Sequence, residues 1–209
     1  AAELKKVSPA VKIWAGGPEV SYAANKFLEQ NSAFDLIMQG EGEEVFSELI
    51  RFALEDKYFA GEENTNSTNH IDMTKLQKLQ GIAVRDFSEK SALENGESSM
   101  ESKSKIINTG FAALMNMDTI PFVYEDFHLF EHKILYYETS RGCPFRCSYC
   151  LSSIDKRLRF RNLDLVKKEL AFFLEQKVPQ VKFVDRTFNC KKDHAMAIWK
   201  FIAEHDNGV

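Results

Sequence analysis

Residues 134–150 read ILYYETSRGCPFRCSYC, and this stretch decides how the rest of the chain is interpreted. The apolar and aromatic residues at its start predict a strand over 134–138. Cys143, Cys147 and Cys150 follow that strand at C-x3-C-x2-C spacing. Thiolates are the usual protein ligands of iron–sulfur clusters, and three of them can hold three irons of a [4Fe–4S] cube. The fourth iron is then open to a ligand from outside the protein.

The same cysteines allow two other interpretations, and both stay open at this point. A zinc site would need Cys190 as its fourth ligand, although Cys190 lies 40 residues beyond Cys150. Zinc sites usually use paired C-x2-C knuckles or histidines. Buried structural thiols are disfavoured because Arg141, Arg146 and Ser148 make the stretch polar. Cys190 by itself is interpreted as a small buried residue.

Downstream of the cysteines, the sequence predicts a helix over 163–176 that begins at Asn162 or Asp164 as its cap. A strand over 181–185 and a helix over 193–204 follow. Two strands joined by a helix in this manner form a parallel unit with a right-handed connection. The cysteine loop then lies at the carboxyl end of the first strand, which is the functional end of barrels built from such units.

Upstream, short buried strands are predicted over 11–14 and 35–38, followed by helices over 21–30 and 44–54. Glycine-rich turns, Gly16-Gly17-Pro18 and Gly40-Glu41-Gly42-Glu43, end the two strands. Strand, glycine turn and helix thus occur twice, which is typical of a doubly wound α/β sheet.

The segment between these two regions is predicted to be a connector. Residues 61–70 are polar and predict a loop, and residues 88–104, rich in Ser, Glu and Lys, predict a mobile surface loop. Strands over 81–85 and 105–108 are predicted to pair across that second loop as a hairpin.

Charge divides the chain at a similar place. Residues 1–130 carry 12 basic and 21 acidic side chains, whereas residues 131–209 carry 15 basic and 10 acidic ones, so the net charges are −9 and +5. The change of sign predicts two units with different roles. The positive unit suits an anionic small ligand or a cluster, and we do not expect nucleic acid to be the partner.

Membrane and secreted classes are not favoured by the composition. The chain has no apolar run of the length that a transmembrane helix needs, and its first residues lack the pattern of a signal peptide. Three of the four cysteines fall within eight residues, unlike the spread of a secreted disulfide scaffold. We therefore predict a cytoplasmic protein without a membrane partner.

With Tyr149 at the aromatic position of C-x3-C-x-aromatic-C, the cysteine loop resembles the signature of the radical S-adenosylmethionine (SAM) superfamily. The resemblance implies that Cys143, Cys147 and Cys150 ligate a [4Fe–4S] cluster whose free iron binds SAM. One electron from such a cluster cleaves SAM to methionine and a 5′-deoxyadenosyl radical. The resemblance also implies an electron donor such as a flavodoxin or ferredoxin, and a small-molecule or macromolecular substrate that the sequence does not identify.

Four residues near the cluster are predicted, from the resemblance, to contact cofactor. Tyr149 is expected near the SAM adenine, and Phe145 is a second aromatic cofactor contact in the same loop. The run Asp185-Arg186-Thr187-Phe188-Asn189 resembles the end of the second barrel strand in relatives with a cobalamin domain, which lies beside SAM. Asp185 and Asn189 are therefore assigned to SAM, with a turn or capping role as the alternative.

The order of the glycine turns ahead of the cysteine loop resembles the cobalamin-binding radical SAM class. That class includes anaerobic magnesium-protoporphyrin monomethyl ester cyclase and many methyltransferases. The resemblance implies cobalamin as a second cofactor, with contacts from Gly16, Gly17, Gly40, Glu41 and Gly42 at the carboxyl edge of the sheet. The sequence has no D-x-H-x-x-G motif, so no histidine is assigned to cobalt.

The sequence thus predicts an α/β chain in three parts. Residues 1–58 are the end of a doubly wound cobalamin-binding-like domain, 59–130 a connector with a hairpin and a mobile loop, and 131–209 the first βα units of a partial radical SAM barrel. We expect a piece of a longer enzyme that cleaves SAM reductively, for methyl transfer or for radical rearrangement or cyclisation. The alternatives are a non-catalytic iron–sulfur or zinc module, or a radical SAM enzyme whose first domain binds no cobalamin.

Overall fold

A computed structural model describes residues 1–55, 73–86, 105–151, 157–205 and 208. The predicted loops at 61–70 and 88–104 lie outside these residues. The chain divides into two compact units, Ala1–Met115 and Asn116–Val209. The hairpin that was predicted within a connector belongs to the sheet of the first unit.

The first unit alternates short strands with helices, as the glycine turns predicted. The predicted helix over 21–30 forms as two pieces, because Ala23 leaves helical geometry between them. The elements are α1 (Ala2–Val7), β1 (Trp14–Ala15), α2 (Pro18–Ser21), α3 (Ala24–Gln30), β2 (Leu36–Met38), α4 (Gly42–Glu55), α5 (Met73–Lys78), β3 (Ile82–Asp86) and β4 (Lys105–Asn108).

These strands form one mixed sheet in the order β1-β2-β3-β4. Strands β1 and β2 are parallel, with Trp14 opposite Leu36. Strands β3 and β4 continue the sheet as an antiparallel hairpin with Val84 opposite Ile107, which confirms the predicted pairing. Because β1 and β2 are parallel, the glycine turns that follow them lie at the same edge of the sheet.

Helices cover both faces of this sheet. Leu49 of α4 packs with Leu36 and Val84 in one core cluster, and Leu28 of α3 packs with Ile37 and Ala83 in another. Successive residues of β2 thus point into opposite cores, as the alternation of side chains along a strand requires. The sheet is therefore the middle layer of an α/β sandwich, which agrees with the predicted class.

The second unit contains a parallel strand–helix–strand arrangement. Its elements are β5 (Leu135–Tyr137), β6 (Ser140–Arg141), β7 (Arg159–Phe160), α6 (Leu163–Glu175), β8 (Val181–Phe183) and α7 (Lys192–His205). Strands β5 and β8 pair in parallel, with Leu135 opposite Val181, which confirms the prediction. The Asn162 side chain caps α6 by accepting a hydrogen bond of 2.8 Å from the Asp164 amide. No helix among the described residues is long and apolar enough to cross a membrane.

A buried ion pair joins the start of this unit to α6. Arg161 donates to both carboxylate oxygens of Glu169 at 3.0 and 2.5 Å, and only 7% and 8% of these two side chains are exposed. The same guanidinium donates to the carbonyls of Met117 and Ile120. Burial, and next the Glu169 carboxylate, raise the pKa of Tyr137, so its hydroxyl stays protonated and donates to Glu169. The network thus attaches the segment before β5 to helix α6.

Candidate metal and cofactor sites

The cysteine loop connects two short strands that pair with each other. Strands β6 and β7 pair antiparallel, with Ser140 opposite Phe160 and Arg141 opposite Arg159. The loop therefore leaves and returns at one point, just beyond the carboxyl end of β5. Sequence reasoning did not predict this pairing, because strands of two residues are too short to show an alternating pattern.

Gly142 explains why the chain can turn into the loop directly after β6. Its φ is +99°, in the region that side-chain-bearing residues rarely adopt. A Cβ atom at this position would lie 2.4 Å from the carbonyl oxygen of Arg157. The glycine before Cys143 is therefore required both by its backbone conformation and by the backbone of Arg157 and Leu158, just before β7, packed against it.

The three cysteines of the loop have the donor chemistry that an iron–sulfur cluster needs. None of them forms a disulfide; Cys147 is exposed, and Cys143 and Cys150 are half-buried. The amide of Cys150 donates to the carbonyl of Cys147 at 3.1 Å, which closes a turn. The described residues nevertheless contain no group of three or more His, Cys, Asp or Glu side chains placed to hold a metal ion. In chemical type, the three thiols fit an iron–sulfur cluster, and the assignment of the ligands stays a prediction.

The two aromatic residues assigned to cofactor are on the outside of this loop. Tyr149 is 91% exposed and Phe145 is 57% exposed. Single exposed aromatic side chains are common on protein surfaces, so exposure by itself assigns no ligand to them. Their predicted contacts with SAM stay predictions.

Asp185 has a well-defined set of partners at the end of β5. Its Oδ1 accepts hydrogen bonds from the hydroxyls of Thr139, at 2.7 Å, and Ser140, at 2.6 Å. Its Oδ2 accepts from the Thr139 amide at 3.2 Å. Thr139 and Ser140 are fully buried, so these hydrogen bonds fix the strand end that leads into the loop. The carboxylate therefore has a positioning role in this structure, while its predicted contact with SAM stays a prediction.

The segment after Asp185 brings three further side chains to this region. Asn189 is exposed in a 3₁₀ turn, Phe188–Cys190. Cys190 is half-buried in that turn rather than fully buried as expected. Thr187 precedes the turn, and its Oγ1 lies 3.7 Å from the Sγ of Cys143. Of these residues, only Thr187 has a described contact with a predicted cluster ligand.

Arg141 has an acidic partner on the preceding residues. Its guanidinium donates to Glu138 Oε2 at 2.8 Å, and both side chains are partly buried. The positive charge beside the loop is thus largely offset by a neighbouring carboxylate.

His194 extends the Asp185 network to helix α7. Its Nε2 lies 3.3 Å from Thr139 Oγ1, and the ring is 3% exposed. Because the Thr139 hydroxyl already donates to Asp185, it accepts from His194, which assigns the proton to Nε2. Burial lowers the pKa of His194, with Lys191 acting in the same direction and Asp185 opposing it. The ring is therefore neutral at neutral pH.

The lowered pKa of His194 predicts a stability that depends on pH. A group with a pKa below its ordinary value of 6.5 stabilises the fold above that pH, and this contribution is lost as the pH falls toward the folded-state pKa. We expect the free energy of unfolding to fall between about pH 7.5 and about pH 5.5. In His194→Gln, which keeps a donor nitrogen, this fall should be smaller.

Urea unfolding in a Trp14→Phe background, followed by the fluorescence of Trp199 on the same helix, measures this effect. The comparison with His194→Gln removes the contribution of the other histidines to the pH dependence. One of them is His128, whose pKa is raised by Glu131 and whose contribution therefore has the opposite sign. An equal pH dependence in the two proteins would show that His194 does not titrate with folding.

In the first unit, the glycine edge consists of Gly16, Gly17, Gly40, Glu41 and Gly42. Gly17 has a φ of +93° and caps α2, and a Cβ there would meet no atom within 4 Å. Its backbone is therefore open to a ligand. A Cβ at Gly42, the first residue of α4, would also meet no atom within 4 Å.

The other members of the glycine edge face the protein itself. Gly16 lies against Met38, and Gly40 lies against Ala112. Glu41 accepts a hydrogen bond of 3.0 Å from the Met115 amide. A ligand at this edge would thus reach the backbone at Gly17 and Gly42, and the assignment of all five residues to cobalamin stays a prediction.

Gln39 connects the end of β2 to the end of β4 by side-chain hydrogen bonds. Its Nε2 donates to Asn108 Oδ1 at 2.8 Å and to the Gly110 carbonyl at 3.2 Å, and the side chain is buried. Sequence reasoning missed this residue, as it missed Thr139 and His194, and it named Thr187 only as part of the run over 185–189, without its contact with Cys143. Each of these side chains acts on a residue far away in sequence, so no local pattern marks it.

Comparisons with known proteins give relatives among methyltransferases. No protein-family model matches the chain. An uncharacterized methyltransferase, PH0819, of Pyrococcus horikoshii is 27% identical over 203 residues, which cover 93% of this chain and 37% of that protein. The cobalamin-dependent radical SAM methyltransferase TokK of Streptomyces tokunonensis is 27% identical over 192 residues, which cover 88% of this chain and 24% of TokK. The chain thus spans between a quarter and somewhat over a third of these relatives.

Solved structures share the fold over nearly the whole chain. The cobalamin-dependent SAM radical enzyme OxsB, with aqua-cobalamin and SAM bound, matches with a TM-score of 0.60 at 20% identity and covers 92% of this chain and 24% of OxsB. The radical SAM methyltransferase TsrM of Kitasatospora setae, with cobalamin and a [4Fe–4S] cluster bound, matches with a TM-score of 0.54 at 16% identity and covers 92% and 34%. At these identities the likeness is one of fold.

Proposed function

We propose that this chain is part of a cobalamin-dependent radical SAM methyltransferase. In this proposal, Cys143, Cys147 and Cys150 hold a [4Fe–4S] cluster, and the glycine edge of the first unit contacts cobalamin. A one-electron donor of the flavodoxin or ferredoxin type supplies the electron that reduces the cluster. The substrate that receives the methyl group, and the resemblance to the magnesium-protoporphyrin cyclase, are left open.

One observation carries the proposal. The three-thiol loop lies at the carboxyl end of a parallel strand, in a chain whose fold is similar to OxsB over 92% of its length. Cofactors of α/β proteins bind at the carboxyl ends of parallel strands, and the glycine edge of the first unit has the same position on its own sheet. The methyltransferase relatives add the reaction class, since PH0819 and TokK are both described as methyltransferases.

The residues of the second unit prepare the loop for such a role. The β6–β7 pair closes it, Gly142 sets its first turn, and Asp185 anchors the strand end before it through Thr139 and Ser140. When bound, the cluster would supply the electron that cleaves SAM reductively. The exposed rings of Tyr149 and Phe145 would then shield SAM from water on one side.

The likeness to whole enzymes favours this proposal over a non-catalytic metal module. A zinc module would need a fourth ligand, and zinc sites usually use paired C-x2-C knuckles or histidines, which the spacing of these cysteines does not match. A radical SAM enzyme without cobalamin is distinguished only by experiment.

Anaerobic reconstitution with iron and sulfide tests the cluster. We expect about four irons per chain and, after reduction, an electron paramagnetic resonance spectrum that changes when SAM is added. Zinc reconstitution in parallel is the control. Tight zinc binding without iron uptake would contradict the proposal.

Binding of cobalamin is tested separately, because the first unit can fail to bind cobalamin even if the second unit holds a cluster. Incubation with hydroxocobalamin followed by desalting should leave corrin absorbance on the chain. Gly42→Val, in which a side chain would project into open space from the first residue of α4 at a backbone conformation that does not need glycine, should retain less corrin while its iron content is unchanged. Equal corrin retention in both proteins would remove the glycine edge from the proposed site.

A further inference from the structure

The contact between Thr187 and Cys143 goes beyond the assignment of the cluster ligands. Thr187 Oγ1 lies 3.7 Å from Cys143 Sγ, although the two residues are 44 positions apart in the chain. Thr187 occupies the position before a 3₁₀ turn, where a hydroxyl commonly caps the turn. Here the side chain makes no capping hydrogen bond. Its hydroxyl is therefore directed to the sulfur rather than to the backbone.

The surrounding contacts hold the two groups in this relation. The Val184 amide donates to the Tyr137 carbonyl at 2.9 Å, so the pairing of β5 and β8 continues beyond the strands. Asp185 then binds the buried hydroxyls of Thr139 and Ser140. The segment that carries Thr187 is thus attached to the segment that leads into Cys143 at three successive points.

The chemistry of a cluster ligand decides the direction of this hydrogen bond. With a protonated thiol, either atom can donate. A cysteine that ligates iron is deprotonated, so its sulfur can only accept. The Thr187 hydroxyl then becomes the donor.

We propose that Thr187 is a positioning residue that donates a hydrogen bond to the Cys143 thiolate and thereby raises the reduction potential of the cluster; this inference rests on the proposed function. Hydrogen bonds to the sulfurs are among the features that set the potential of iron–sulfur clusters. Reduction adds one electron from an external donor to the oxidised cluster and breaks no bond in the protein. The added negative charge is stabilised by the partly positive hydroxyl hydrogen that points at the sulfur, so the hydrogen bond favours the reduced state.

The test compares Thr187→Val, which replaces the hydroxyl by a methyl group, with Thr187→Ser, which keeps the hydroxyl. The reconstituted 209-residue chains are titrated with dithionite and redox mediators, and the reduced cluster is measured by electron paramagnetic resonance. At the wild-type midpoint, we expect the ratio of reduced to oxidised cluster to fall about tenfold in Thr187→Val, which is a shift of about 59 mV to more negative potential for a one-electron couple. Thr187→Ser should stay close to wild type.

Iron content and the melting temperature of the metal-free chains separate tuning from folding. A fully loaded Thr187→Val with the wild-type potential would overturn the inference alone. Loss of iron from the valine variant with normal loading of the serine variant would overturn the effect on the potential and assign the hydroxyl to cluster loading instead. Loss of iron from both would overturn it in favour of a packing role. A wild-type chain that takes up no iron would refute the proposed function and this inference together.

Discussion

Cys147→Ala should leave the reconstituted chain with almost no iron or sulfide. The two thiolates that remain cannot ligate the three irons that the protein must hold in a [4Fe–4S] cube, so the cluster should not assemble. The variant should also fold normally, because Cys147 is exposed and exposed substitutions usually change the free energy of unfolding by only about 0.5 kcal/mol. Iron and sulfide per chain are measured after anaerobic reconstitution, and the melting temperature of the metal-free protein shows that the fold is intact.

Cys190→Ala is the matched control for this experiment. It removes one thiol from the same unit, in the 3₁₀ turn Phe188–Cys190, and leaves the loop intact. We expect wild-type iron content. Unchanged iron and sulfide in Cys147→Ala would refute the ligand assignment. If Cys190→Ala lost the metal instead, the zinc interpretation with Cys190 as the fourth ligand would be favoured.

Arg161→Met should strongly destabilise the second unit. The change leaves the buried Glu169 carboxylate without its cation, with the Tyr137 hydroxyl as a remaining partner. Breaking a buried ion pair at one partner costs about 3–5 kcal/mol, a large part of the roughly 5–15 kcal/mol that stabilises an ordinary domain. The carbonyls of Met117 and Ile120 lose their donor as well, so the chain before β5 should loosen.

Urea unfolding in a Trp14→Phe background measures this effect, because Trp199 then reports the second unit alone. Lys200→Met removes one positive charge from an exposed position of α7 and should leave the midpoint nearly unchanged. Adding Glu169→Gln to Arg161→Met should recover part of the loss, because no unpaired charge then stays buried. A midpoint for Arg161→Met equal to that of Lys200→Met would show that the pair does not stabilise the fold.

The local elements of the chain were predictable because their causes are local. The alternation of buried strands, glycine turns and amphipathic helices predicted β2, α4, α6 and the hairpin of β3 and β4, and the structure confirms them. Asn162 was one of two candidate caps, and the hydrogen bond to the Asp164 amide decides between them. The predicted domain boundaries after residues 58 and 130 stay a prediction. The structure itself divides into two compact units after Met115.

By itself, the sequence determined the α/β class and the three thiols of the cysteine loop, since residue type and spacing within a short stretch suffice for these. Only the tertiary structure decided which side chains act on the loop. Asp185 meets Thr139 across 46 positions, and Thr187 meets Cys143 across 44. The physical reason is that these contacts depend on the parallel register of β5 and β8, which pairs Leu135 with Val181 and brings distant segments to one strand end.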